Sequence, residues 1–322
     1  MDNLTHTMVG WALGQAGLKT KTRKGLAALI LAANMPDIDV FFGNAPWDPL
    51  AIHRGFTHGL LGGVLVMPPI LASLLWLLDR WQVGRGTAFK SGLAMHFGWL
   101  LALCYLGAIT HPLLDLQTTY SVQLLSPFSA AWYHSDSLFI IDLVLWLVLA
   151  SALIVSGRLE IKGREWRRLP QAAIAFACLY IAGNLAISQT AEASVRQWAG
   201  GRPAEAIFTS PPPAMFWRRT LVWREVDCYR RSTYDIFGDG FGDVSDCQPT
   251  NMDEPLVHQA IAADKGLRKF LKWSVLPQAE IVGGECVVRV AIGDARYGEG
   301  RRSRLARETV LRRDGADCPN RP

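Results

Sequence analysis

Residues 93–115 read LAMHFGWLLALCYLGAITHPLLD, an apolar run that closes on Thr110-His111-Pro112-Leu113-Leu114-Asp115. As a helix, about 17–25 such residues cross the hydrocarbon core of a bilayer. Ionisable side chains beside that core are costly and need partners, water or a cation. His111 and Asp115 therefore mark both a membrane helix and something at its end for an imidazole and a carboxylate to hold.

The pattern recurs along the first part of the chain. Asn34-Met35-Pro36-Asp37-Ile38-Asp39 lies towards the end of the apolar run Gly25–Phe42, and His53-Arg54-Gly55-Phe56-Thr57-His58 stands before the run Gly59–Leu78. His6 lies near the start of the run Leu4–Leu18, and two further runs cover Leu138–Ser156 and Pro170–Ser188. Four of the six runs are long enough to span; Gly25–Phe42 is marginal, and Leu4–Leu18 is short, with Gly10, Gly14 and Gly17 spaced for close helix packing. From about Ala191 the chain becomes charged and ordinary in composition. The reading is a membrane α-helical bundle of about four to six hydrophobic helices over residues 1–190, followed by a smaller soluble α+β domain over residues 191–322.

Loop charges give an orientation. Lys19, Lys21, Arg23 and Lys24, then Arg80, Arg85 and Lys90, then Arg158, Lys162, Arg164, Arg167 and Arg168 fill alternate connections; the remaining two, residues 43–57 and 112–137, carry only Arg54. Twelve basic residues against one predict that the basic loops are cytoplasmic and the bare loops extracytoplasmic. His6, Asp37, Asp39, His53, His58, His111 and Asp115 all fall at the bare end, although only Lys and Arg entered the assignment. The net charge of +5 is spread over short loops rather than gathered in a patch, so no nucleic-acid partner is expected and membrane lipids are the natural surroundings. Asp2 and His6 stand where a cleavable signal would carry Lys or Arg, so the N-terminus is expected to be retained.

Neutral His and ionised Asp are ligands for zinc and similar divalent ions. Their number exceeds the needs of one tetrahedral ion, so the expectation is one to three ions, with zinc the leading candidate. His111 and Asp115 are four residues apart and share a face of a helix, although Pro112 between them suggests that His111 caps a short new helix. The Asp37 and Asp39 pair suits a turning segment after Pro36 and can bridge two metals, or bind one and orient another ligand; Gly55 lets the chain turn between His53 and His58, and Thr57 is placed to cap the helix that follows. Arg54 can serve as an anion-stabilising catalytic group, since its fork matches phosphate, or can pair with Asp37, Asp39 or Asp48. Asp136 is a second catalytic candidate, as a base or as an outer partner of the ligands, and Asp142 needs a partner of its own. His96, His134 and His258 read as ordinary polar residues, His134 least securely because Asp136 follows it closely.

The C-terminal part holds Cys228, Cys247, Cys286 and Cys318, which in an oxidising compartment suit two disulfides with three possible connectivities; Cys104 and Cys178 read as core residues. Strands are expected over Arg219–Tyr229 and Glu285–Ala291, a helix over Glu192–Ala206, and a stiff connector at Ser210-Pro211-Pro212-Pro213. The acidic, Gly-rich Gly238–Asp243 lacks EF-hand spacing and reads as a turn. No phosphate-binding loop, dinucleotide fingerprint or nucleophile elbow occurs.

The opening Asp2-Asn3-Leu4-Thr5-His6-Thr7, the Pro36-Asp37-Ile38-Asp39 step, His53 to His58, His111 to Asp115 and Asp136 to Asp142 together resemble the YdjM family over roughly the first 145 residues. The resemblance implies a bacterial inner-membrane, metal-dependent hydrolase. Through that family's distant similarity to zinc-dependent phospholipase C and nuclease P1, it implies a phosphoester or phospholipid substrate. The alternative is a non-enzymatic membrane protein, a transporter or an envelope assembly factor with a structural metal. A transporter would place its charges near the bilayer midplane rather than at one end. A topology reporter joined after Ser188 is expected to be active only outside the cytoplasm; activity confined to the cytoplasm would reverse the orientation.

Overall fold

In the computed structural model, residues 1–42, 54–284 and 287–312 are described. Contacts divide them into two units: residues 1–42, 54–188 and 210–216 form the first, and residues 189–209 with those from 217 onward form the second.

The first unit is helical. It comprises α1 (Asn3–Gln15), α2 (Gly25–Asn34), α3 (Met67–Gly84), α4 (Phe97–Asp115), α5 (Leu143–Ile161) and the part of α6 (Arg168–Ala199) up to Ser188. Four helices are long and apolar enough to cross a membrane: Leu60–Gly84, in which a π-helical turn Leu60–Val66 leads into α3, together with α4, α5 and α6. The runs seen in the sequence are thus spans, apart from the first two. α2 has 10 residues, too few to cross, and a 3₁₀ turn, Met35–Phe42, continues it.

Small residues decide how these helices meet. A Cβ at Gly10 would lie 2.8 Å from the Leu29 carbonyl oxygen, and one at Gly107 would lie 2.6 Å from the same atom and 2.9 Å from Ala32 Cβ. α1 and α4 therefore both lie directly on the backbone of α2. Ala28, Leu29, Ala32, Leu100, Leu103, Cys104 and Ala108 fill the resulting core with Leu71, Ala72 and Leu75 of α3. The same economy shapes the turn before α3, where Cβ atoms at Gly62 and Gly63 would each lie 2.2 Å from a carbonyl oxygen, of Phe56 and Thr57 respectively. α4 runs unbroken through Pro112 to Asp115, so His111 caps no new helix. Its packing on α2 through Gly107 and Ala108 outweighs the proline's preference to start a helix.

At the opposite end from Asp115, the basic loops are pinned. Arg23 makes a bidentate pair with the buried Asp79, at 2.7 Å to each oxygen, and Lys19 reaches Glu160 at 2.6 Å. The forked Arg23–Asp79 pair, its carboxylate buried, fixes geometry as well as charge. Asp142 caps α5 by accepting from Leu145 N, and its other oxygen accepts from the Tyr180 hydroxyl at 3.1 Å.

The second unit is α+β. A five-stranded sheet has the order β1 (Glu205–Ser210), β2 (Arg218–Glu225), β3 (Cys228–Asp235), β4 (Gly240–Phe241), with β5 (Gln248–Pro249) also on β3; β6 (Pro277–Gly283), β7 (Val287–Asp294) and β8 (Ala306–Arg312) form a second sheet. Helices α7 (Pro255–Ala263) and α8 (Lys265–Trp273) stand between the sheets in sequence. Three local expectations change. Arg219–Tyr229 is strand as expected up to Glu225 and again from Cys228, but a hairpin turn at residues 226–227 splits it between β2 and β3. No separate helix covers Glu192–Ala206: α6 continues to Ala199, and β1 begins at Glu205. Cys178 is exposed on α6 rather than in a core, while Cys104 is buried. Cys228 and Cys247 form a disulfide; Cys286 and Cys318 lie outside the described residues. At the heart of this unit Arg296 grips Asp294 in a buried bidentate pair at 2.8 and 2.9 Å. Burial would raise the Asp294 carboxyl, but Arg296 outweighs it and holds the group below its ordinary range.

The glycine contacts are testable on one helix. Gly107→Ala is expected to destabilise the bundle by about 1–3 kcal/mol, the usual cost of overpacking. Gly98→Ala, where an added Cβ meets nothing within 4 Å, should be neutral or slightly stabilising in thermal unfolding of the detergent-solubilised protein.

Candidate metal centre

Four chain segments converge at one end of the first unit. α1 begins at Asn3 because Asp2 caps it, accepting from Leu4 N and Thr5 N, and this sets His6 in the first turn. The 3₁₀ turn that prolongs α2 carries Asp37 and Asp39. A second 3₁₀ turn, Phe56–His58, presents His58 just before the π-helical turn. The last turn of α4 supplies His111 and Asp115.

These side chains meet. His58 Nε2 lies 3.1 Å from Asp37 Oδ1 and 3.4 Å from Asp115 Oδ2. His111 Nε2 lies 3.5 Å from the same Asp37 oxygen and 3.3 Å from the same Asp115 oxygen. His6 stacks on His111 with ring centroids 3.8 Å apart and points Nε2 at Asp115 Oδ1, 3.6 Å away. Nitrogen–oxygen gaps of this size are those of neighbouring ligands on one ion at about 2.0–2.2 Å. Two sets can hold a metal ion, His6 with His111 and Asp115, and Asp37 with His58 and His111, each with its ligand atoms within 4.8 Å of one another.

The donor chemistry fits a cation. All five residues are buried, and His6 Nε2, His111 Nε2 and Asp115 Oδ2 have no hydrogen-bond partner among the described residues. Buried polar atoms are normally satisfied, and a cation would satisfy these three together. Burial lowers the His6 imidazole to about 3, and the adjoining His111 ring pushes it the same way, so His6 is neutral, the form that binds metal. Burial alone would raise the Asp37 carboxyl; His111 and His58 outweigh it and hold Asp37 well below the usual carboxylate range.

An outer layer orients the donors. His111 Nδ1 bonds the Ala33 carbonyl oxygen at 2.7 Å, which turns Nε2 inward. Asp39 sits behind His58: its Oδ2 accepts from Thr57 Oγ1 at 2.5 Å and lies 3.5 Å from His58 Nδ1, while Thr57 Oγ1 is 3.0 Å from that nitrogen. Thr57 thus ties His58 to Asp39 instead of capping a helix. Arg54, at a left-handed φ of 69°, is buried with Nη2 3.3 Å from Asp115 Oδ1 and Nη1 3.0 Å from Thr118 Oγ1, its guanidinium over Tyr120. Its carboxylate partner here is Asp115, not Asp37 or Asp39. The Met1 amino group also bonds Asp115.

Of the other sequence candidates, His53 and Asp48 lie outside the described residues. Asp136 is not in either ligand set; it is buried at φ 51° and bonds His134 Nδ1 at 3.0 Å. Its segment is laced to the residues just after Asp115, through Ser135 N to the Leu116 carbonyl and Leu138 N to the Gln117 carbonyl. His134, read from sequence as ordinary, is therefore the partner of Asp136; the His-x-Asp spacing was the available signal. Asp142 is a helix cap paired with Tyr180.

A family model described as YdjM inner membrane protein matches residues 1–191, and the chain belongs to that family. No curated protein and no solved structure matches it. The match and the four candidate spans make it a multi-pass inner-membrane protein with a His and Asp cluster able to chelate a metal.

The two layers predict different losses. His58→Ala is expected to abolish tight divalent-ion binding, whereas Asp39→Ala should keep the stoichiometry and weaken affinity by about 10–100-fold. Competition against a fluorescent chelator measures both, and an Asp39→Ala protein that binds like the wild type would contradict the outer-layer role.

Proposed function

We propose that this chain is an integral membrane hydrolase that uses a divalent metal, with zinc as the leading candidate, to cleave an ester, most simply a phosphoester of a lipid or other envelope molecule. The observation that carries the reading is the convergence of His6, His58, His111, Asp37 and Asp115, all buried, at one end of the bundle. Three imidazoles with carboxylates are the ligand chemistry of hydrolytic zinc centres.

When bound, a divalent cation supplies a water of pKa about 7 and Lewis-acid polarisation of the ester. The chain's own residues hold and orient. The Ala33 carbonyl fixes the tautomer of His111, Asp39 and Thr57 fix His58, and Arg54 fixes Asp115 while bringing positive charge beside it. Each of His58 and His111 has its Nδ1 side engaged in that outer layer, so each offers one nitrogen, which favours a single ion among the described ligands. Asp136 holds His134, which is a quarter exposed, through Nδ1 at 3.0 Å, on the segment bonded to the residues just after Asp115.

Two features support an extracytoplasmic site. The basic loops gather at the other end of the spans, and the Cys228–Cys247 disulfide in the second unit suits an oxidising compartment. The purified full chain, assayed against phospholipid and phosphodiester panels, is expected to show activity that a chelator removes, that added divalent ion restores and that His58→Ala lacks. Activity insensitive to chelator, or none on any panel, would contradict the hydrolase reading.

A further inference from the structure

We propose that the crevice between the start of α5, α6 and the segment 211–216 seats one acyl chain of a membrane lipid. All of its walls belong to the first unit. Phe139, Leu143 and Val144 form one side and Met215 and Phe216 the other, around a cavity of about 240 Å³. Tyr180 stands within it, its ring edge-on to Phe216 at 5.8 Å. The volume suits a stretch of one hydrocarbon chain rather than a whole lipid, since sites for complete small ligands start at about 300 Å³.

The mouth of the crevice identifies the occupant. Leu143 and Met215 at its rim are 46% and 39% exposed, and the exposed apolar surface continues along the spans through Leu147, Ile154 and Leu179. Exposed apolar side chains on membrane-crossing helices face hydrocarbon, so the crevice opens onto lipid tails. The Asp142 carboxylate inside it is already engaged by Leu145 N and the Tyr180 hydroxyl, so it asks for no cationic ligand. On the inner side, Tyr180 packs against the cluster of Leu114, Leu138 and Leu145, and Leu114 directly precedes Asp115. Tyr180 thus joins the seat to a core cluster that includes the helix turn carrying Asp115.

The assignment rests on the hydrolase reading for its purpose, making the substrate a lipid, but its test does not need activity. The full chain in nanodiscs containing a phosphatidylcholine with a diazirine in its acyl chain would be irradiated, with and without chelator, and the labelled peptides mapped by mass spectrometry. Labelling is expected to concentrate at residues 139–144 and 215–216. It should fall about tenfold in Val144→Trp or Met215→Trp, the worth of roughly two buried methylenes, with bound metal unchanged. Leu147→Trp, outside the crevice, should leave it intact. Labelling no denser in the crevice than at residues 147–154, or unmoved by both crevice substitutions, would overturn the proposal. A labelled crevice in a protein that hydrolyses nothing would sink the hydrolase reading alone and leave the seat standing.

Discussion

The backbone of α2 is held between two helices that touch it without side chains in the way. Gly10 of α1 and Gly107 of α4 both face the Leu29 carbonyl oxygen, at distances no Cβ could tolerate. This contact sets the spacing of the ligand end. With α4 drawn onto α2, His111 reaches the Ala33 carbonyl one turn further on, and its Nε2 is aimed at Asp37 and Asp115. With α1 drawn onto α2, His6 stacks on His111. In bilayer, helix association draws on close packing rather than on the hydrophobic effect, so small residues carry much of the specificity. The candidate metal centre inherits its geometry from that packing.

The same packing creates an electrostatic problem that a bound cation would answer. Asp37 and Asp115 are brought into a dry space with three imidazoles. Burying charges costs more than simple pairing returns unless the geometry is good and the remaining lone pairs are met. Arg54 and the Met1 amino group meet one side of Asp115, yet its Oδ2 and the facing Nε2 atoms of His6 and His111 are left without hydrogen bonds among the described residues. Asp39 behind His58, and Ala33 behind His111, are the outer partners expected of metal-binding imidazoles. A proton pathway would need no such convergence of ring nitrogens on shared oxygens.

Much of this was readable from the residues alone. The spans followed from run length, and the ligand types followed from ionisable residues placed where bilayer makes them costly. That the Asp37 and Asp39 pair could divide into a ligand and an orienting group was readable, but not which does which: the 3₁₀ turn sends Asp37 to the Nε2 side of His58 and Asp39 to its Nδ1 side. Thr57 went the same way, since cap and side-chain relay use the same hydroxyl and only tertiary position separates them. Pro112 misled for a related reason: local preference argued for a helix start, and packing on α2 carried the helix through. The partner of Arg54 could not be chosen by proximity in sequence, because Asp115 lies far along the chain and arrives only through the fold. In the second unit the strand character of Arg219–Tyr229 was legible, but the turn after Glu225 was not, because it lacks Gly and Pro.

A membrane bundle with a buried imidazole and carboxylate cluster, an apolar crevice in the same unit and a disulfide-bearing second unit are consistent with chemistry at a membrane surface. Its central claim is that one ion sits among these side chains. Zinc-edge X-ray absorption on the full chain, purified and loaded with zinc, tests that claim most directly. The account predicts about one ion per chain with nitrogen and oxygen ligands at about 2.0–2.1 Å, the outer-shell scattering of imidazole rings, and no sulfur. Substantially less than one ion per chain, or a sulfur shell at about 2.3 Å, would contradict it.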